Sequence, residues 1–95
     1  MSTRDEYLAS MKLQIDEWTT EIDAMEARAD AVQPNARAEF QSQLAGLRAQ
    51  RDNSENKLEE VRSASDGAWQ RVKGEADNLW TAFKDSAAAF RAHYK

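Results

Sequence analysis

No cysteine occurs among the 95 residues, which excludes disulfides and thiolate metal ligands. Proline appears once, at Pro34, and glycine three times, so little interrupts regular structure. His93 is the sole histidine and no Glu-x-x-His pair is present. The multi-histidine or Glu-x-x-His ligation of zinc and di-iron bundles is therefore not expected, and no metal or other cofactor is. Large apolar side chains are scarce, with Leu, Ile, Val and Phe together numbering 14. No run approaches the roughly 18 consecutive apolar residues of a membrane-crossing helix. The start, MSTRDEYLAS, carries Arg4, Asp5 and Glu6 and has no apolar core. A secretory signal is not expected there, and a cytoplasmic location is.

Alanine fills the gap with 17 residues, and 32% of the chain is charged. Ala, Glu, Gln, Lys and Arg favour helix, and few residues here favour strand. The composition predicts an all-α protein with a thin apolar seam. Net charge is −4, unevenly spread. Residues 1–60 hold 7 Lys+Arg against 13 Asp+Glu, and residues 61–95 hold 6 against 4. The acidic part speaks against nucleic acid, because phosphate binding needs a basic face. The slightly basic tail leaves an anionic surface open as a partner.

Thr3 and Glu6 have the spacing of a capping box. Leu8, Met11, Ile15, Trp18, Ile22, Met25, Ala29 and Val32 follow at alternating steps of three and four, a heptad stripe flanked by charge. The stripe ends at AVQPNAR. Gln33 precedes a proline and is biased away from helical dihedrals, while Pro34 suits the first position of a new helix. This predicts a helical hairpin turning near Gln33–Asn35.

The second segment resumes with Phe40, Leu44, Leu47, Arg51, Ser54, Leu58 and Val61, again at steps of four and three. Two of these positions are polar. Folding back about Pro34 sets Arg51 near Trp18 and Ser54 near Ile15. The guanidinium is then within reach of the indole, a contact worth about 0.5–1 kcal/mol at an exposed site. The alternative is that the seam is simply weak there.

From Val61 the period changes. Broken every eleven residues, the chain reads VRSASDGAWQR VKGEADNLWTA FKDSAAAFRAH YK, which aligns Val61, Val72, Phe83 and Tyr94, and beside them Arg62, Lys73, Lys84 and Lys95. Trp69 aligns with Trp80. Eleven residues in three turns is close to the natural helical period, so the stripe runs nearly straight. Ser65, Asp66 and Gly67 are helix-boundary residues, yet the apolar phase passes through them without a skip.

Two architectures follow. In one, residues 1–33 form a heptad helix, 34–64 return antiparallel to it, and 65–95 continue the second helix. In the other, the chain breaks near Ser65–Gly67 and folds as a three-helix bundle of one structural unit. Unbroken phase favours the long helix, whose second half then needs a partner, a dimer first of all.

The stretches DEYLASMKLQIDEW (5–18), ARAEF (36–40) and GAWQRVK (67–73) resemble small bacterial coiled-coil proteins described as stress-response proteins of the cyanobacterial type. Pro34 and Asn35 depart from that family's turn region. The resemblance implies a cytoplasmic helical protein linked to stress, with no catalytic residues.

No glycine-rich phosphate loop, nucleophile elbow or Cys/His pair is found, and an enzyme or a small-molecule substrate is not expected. The expected role is non-enzymatic: a seam of Leu8, Met11, Ile15, Trp18, Ile22, Leu44, Leu47, Arg51, Leu58 and Val61 closes the hairpin. The stripe bearing Trp69, Val72, Leu79, Trp80, Phe83 and Phe90 meets a second copy, with Trp80, Phe83 and Phe90 as anchors. The alternative is that the amphipathic 61–95 helix lies on an anionic membrane surface.

Overall fold

The computed structural model describes residues 3–94. Among these residues there are three long helices and no strand: α1 (Thr3–Ala27), α2 (Arg37–Ser63) and α3 (Trp69–His93). Lys95, the last member of the basic column, lies outside the described residues.

The heptad stripe forms the buried line of α1: Met11, Ile15, Trp18, Ile22 and Met25 are buried, with Leu8 half-buried. The acids Asp5 and Glu6 fall in its first turn, where they suit the helix dipole. Two short 3₁₀ turns, Ala29–Ala31 and Pro34–Ala36, form the connection to α2. Gln33 is extended and Pro34 begins the second turn, as the proline rule requires. Arg37 fastens this corner by donating from Nη2 to the carbonyls of Val32 (3.1 Å) and Asp30 (3.4 Å).

Along α2 the buried line is Phe40, Leu44, Leu47, Ser54 and Val61, with Arg51 and Leu58 half-buried. The four-three spacing thus holds even through its polar positions.

The long continuous helix does not form. The chain turns back between Ser63 and Trp69, and the three-helix alternative is the observed fold. Ala64 is extended, with φ −69° and ψ 154°. Already at Ser65 the carbonyl accepts from the amides of Ala68 and Trp69, both at 3.0 Å, so helical bonding restarts at once. An antiparallel return, like a long helix, needs each segment to turn its own stripe toward a partner. An unbroken phase fits both architectures, and the boundary residues Ser65, Asp66 and Gly67 carried the discriminating signal.

The result is an up-down-up bundle measuring 51 × 19 × 18 Å. Its radius of gyration, 15.5 Å, exceeds the roughly 12 Å of a compact domain this size. The core is accordingly a narrow column. One cluster gathers Ile15, Trp18, Ile22, Phe40, Leu44, Leu47, Phe83 and Phe90 from all three helices. A smaller one joins Val61, Val72 and Ala76, with Tyr7, Leu8 and Trp69 packed on it. The eleven-residue stripe is the buried line of α3: Val72, Ala76, Phe83, Ala87 and Phe90, with Leu79, Trp80 and Tyr94 half-buried. No described helix is long and apolar enough to cross a membrane.

Candidate interaction site

The residues expected to meet a partner are brought together inside one chain. The backbones of α1 and α3 stand farther apart than those of either neighbouring pair, and large side chains bridge the gap. Trp18 stacks on Phe83 with ring centroids 3.9 Å apart and planes at 16°, and meets Trp80 at 4.2 Å. Phe40, Phe90 and Tyr94 form a second aromatic group, with centroids 4.9–5.1 Å apart. Trp80, Phe83 and Phe90 are therefore anchors of α3 on α1 and α2. The need for a second copy to cover this stripe disappears, and the face expected to meet lipid is turned into the bundle.

Arg51 does not lie on Trp18. The indole is taken by Trp80 and Phe83, while the guanidinium bonds Asp52 (3.0 Å) and reaches Thr19 Oγ1 (3.4 Å). Folding back about Pro34 set Arg51 beside the right turn of α1. The third helix then claimed the ring. Ser54 is buried, and its Oγ has no hydrogen-bond partner among the described residues.

Both cation–π contacts found among the described residues lie at the other end of the bundle. The Arg4 guanidinium sits 5.6 Å over the Trp69 ring, and Lys73 Nζ 5.0 Å over the Tyr7 ring. Arg4 also donates to the carbonyl of Ala64 (2.7 Å) and of Arg62 (3.3 Å), and to Asp66 (2.7 Å). These carbonyls belong to the C-terminal turn of α2, which has no intrahelical donors for them and favours a cation. Arg4 thus ties the start of α1 to the turn between α2 and α3. Nothing in the sequence marks it, because its acceptors are backbone groups some 60 residues away.

The Tyr7 hydroxyl donates to Asp77 Oδ1 at 2.9 Å, and Lys73 reaches Asp77 Oδ2 at 3.2 Å. Burial, reinforced by the Asp77 carboxylate, pushes the Tyr7 phenol well above its usual value. Further ion pairs fasten the exposed flanks: Arg48 with Glu26, Lys57 with Glu60 and Glu75, and Arg91 with Glu21. Among the described residues no group of acidic or histidine side chains has the arrangement of a metal site.

These features define an antiparallel three-helix bundle closed by aromatic side chains. Comparison with family models, characterised proteins and solved structures gives no match. The resemblance to stress-response coiled-coil proteins thus rests on residues 5–18, 36–40 and 67–73 alone.

Proposed function

We infer that this is a non-enzymatic helical interaction protein that self-associates by exchanging α3 between two copies. The observation that carries this reading is the shortness of the link between α2 and α3. The link is five residues long, 64–68, with helical bonding already resuming at the Ser65 carbonyl, and the apolar phase runs through it unbroken. No residue of the link has positive φ, and a Cβ at Gly67 would meet open space. Straightening Ala64 would join α2 and α3 into one helix from Arg37 to His93, roughly 85 Å long. Its distal half would leave its own α1 and α2 and dock on those of a partner through the same Trp18, Trp80, Phe83 and Phe90 contacts. Exchange of an identical element is a low-cost route to a dimer, since it adds no new interface.

A cytoplasmic setting and a role under stress belong to the same proposal, through composition and the sequence resemblance. Light scattering on the Ser65→Ala/Gly67→Ala variant tests the exchange. Both changes favour helix at the link, so the dimer fraction should rise at fixed concentration. A variant that stays monomeric at high concentration contradicts the reading.

A further inference from the structure

At the end of the bundle opposite Arg4, the corner between α1 and α2 meets the C-terminus of α3 around a cleft of about 430 Å³. That is within the range of small-molecule sites. Met25, Val32, Phe40, Phe90 and Tyr94 give it apolar lining. Arg28, Arg91 and His93 also line it, and among the described residues no carboxylate side chain does. All three are exposed, so the Arg28 and Arg91 charges are held at the mouth. This concentration of basic groups occurs in a chain of net charge −4.

The acidic side chains that touch or influence its lining, among the described residues, stand outside the cleft. Glu21 touches Arg91 at 3.5 Å through an exposed contact. Glu39 lies close enough to reinforce the effect of burial in pushing the Tyr94 phenol up, and is itself bonded to Gln43. The Tyr94 hydroxyl is buried and has no hydrogen-bond partner among the described residues. An apolar wall and a cationic mouth on one cleft describe a ligand with an apolar body and an anionic head.

We propose that this cleft binds an amphipathic carboxylate, a medium-chain fatty acid in kind, with its tail against Met25, Phe40 and Phe90 and its head between Arg28 and Arg91. The site is separate from the α2–α3 link and goes beyond the self-association reading.

The test is calorimetric titration of the intact protein with decanoate, well below its micelle concentration. Decyltrimethylammonium and acetate serve as comparison ligands. Saturable one-to-one uptake of decanoate is expected, with neither comparison ligand binding. Trp18, Trp69 and Trp80 do not line the cleft, so their emission should hold steady, which separates binding from detergent-like unfolding. The Arg28→Gln/Arg91→Gln variant changes two exposed residues and should keep its helicity while losing at least tenfold in affinity. Absence of saturable binding overturns the proposal. So does equal uptake of the cationic amphiphile, equal uptake of acetate, or unchanged affinity in the double variant.

Discussion

The Trp18 indole of α1 stacks on the Phe83 ring of α3 with centroids 3.9 Å apart. The pair spans the wide side of the bundle, where the backbones themselves do not approach. Both rings are buried, Phe83 almost completely. Phe83→Ala should therefore cost about 3–5 kcal/mol, the usual range for deleting a buried aromatic. Trp80→Ala should cost less, since Trp80 is half-buried and Trp18 keeps its stack on Phe83. Urea denaturation of the two variants checks the order. Equal losses would mean that the stack is not what fixes α3 to α1.

Arg4 holds the link between α2 and α3 chiefly through backbone acceptors. Its side chain is 16% exposed, whereas that of Asp66 is fully exposed at 104%. A hydrogen bond from a charged group to a carbonyl is worth about 1.5–3 kcal/mol, and an exposed ion pair about 0–1. Arg4→Ala should then cost more than Asp66→Ala by at least about 1 kcal/mol in thermal or urea unfolding. The carbonyls of Arg62 and Ala64, freed of Arg4, also become available to a continuous helix. Arg4→Ala should accordingly raise the dimer fraction in light scattering, which simple destabilisation of the monomer at another site, as in Trp80→Ala, should not do.

The positions of the core were legible in the sequence, and the topology only in part. Met11, Ile15, Trp18 and Ile22 on α1, and Val72, Phe83 and Phe90 on α3, are buried where the spacing put them. Periodicity reports which side of a helix is covered and is silent on what covers it. The reversal after Ser63 was signalled locally by Ser65, Asp66 and Gly67 and masked by the unbroken phase, whereas the capture of Trp18 by α3 was hidden, since it depends on a partner distant in the chain. Arg4 and the cleft at Arg28 and Arg91 were hidden for the same reason. Each is assembled from residues of separate elements, and the arginines among them carry no pattern of their own.

The Tyr7–Asp77 contact should make stability sensitive to alkaline pH. Burial raises the folded-state phenol above its unfolded value near 10. The folded protein therefore binds this proton more tightly, and the stabilisation is complete below about pH 10. It is lost as pH rises from there through the folded-state value. Spectrophotometric titration should find Tyr7 ionising late, and Tyr7→Phe should flatten the alkaline decline of the melting temperature. A wild-type decline matched by Tyr7→Phe would contradict this.

Ser54 sits on the buried line of α2 with its hydroxyl unsatisfied. An unpaired buried donor costs about 1–3 kcal/mol, and alanine is the better helix former. Ser54→Ala should raise stability by about 1 kcal/mol, read as a higher urea midpoint with unchanged slope. A loss would mean that the hydroxyl has a partner in solution.

Exchange of α3 can be followed at Gln50 and Ser86, which meet across α2 and α3 with Gln50 Nε2 donating to Ser86 Oγ at 3.2 Å. The chain has no native cysteine, so Gln50→Cys and Ser86→Cys each introduce a single thiol. The two variants would be mixed at high concentration, incubated, and joined with a short bismaleimide. If α3 exchanges, the residues of this contact come from different chains. The mixed species, Gln50→Cys linked to Ser86→Cys, should then dominate over either variant linked to itself. Crosslinked species no more abundant in the mixture than in either variant alone would contradict the exchange, leaving a bundle that keeps its third helix to itself.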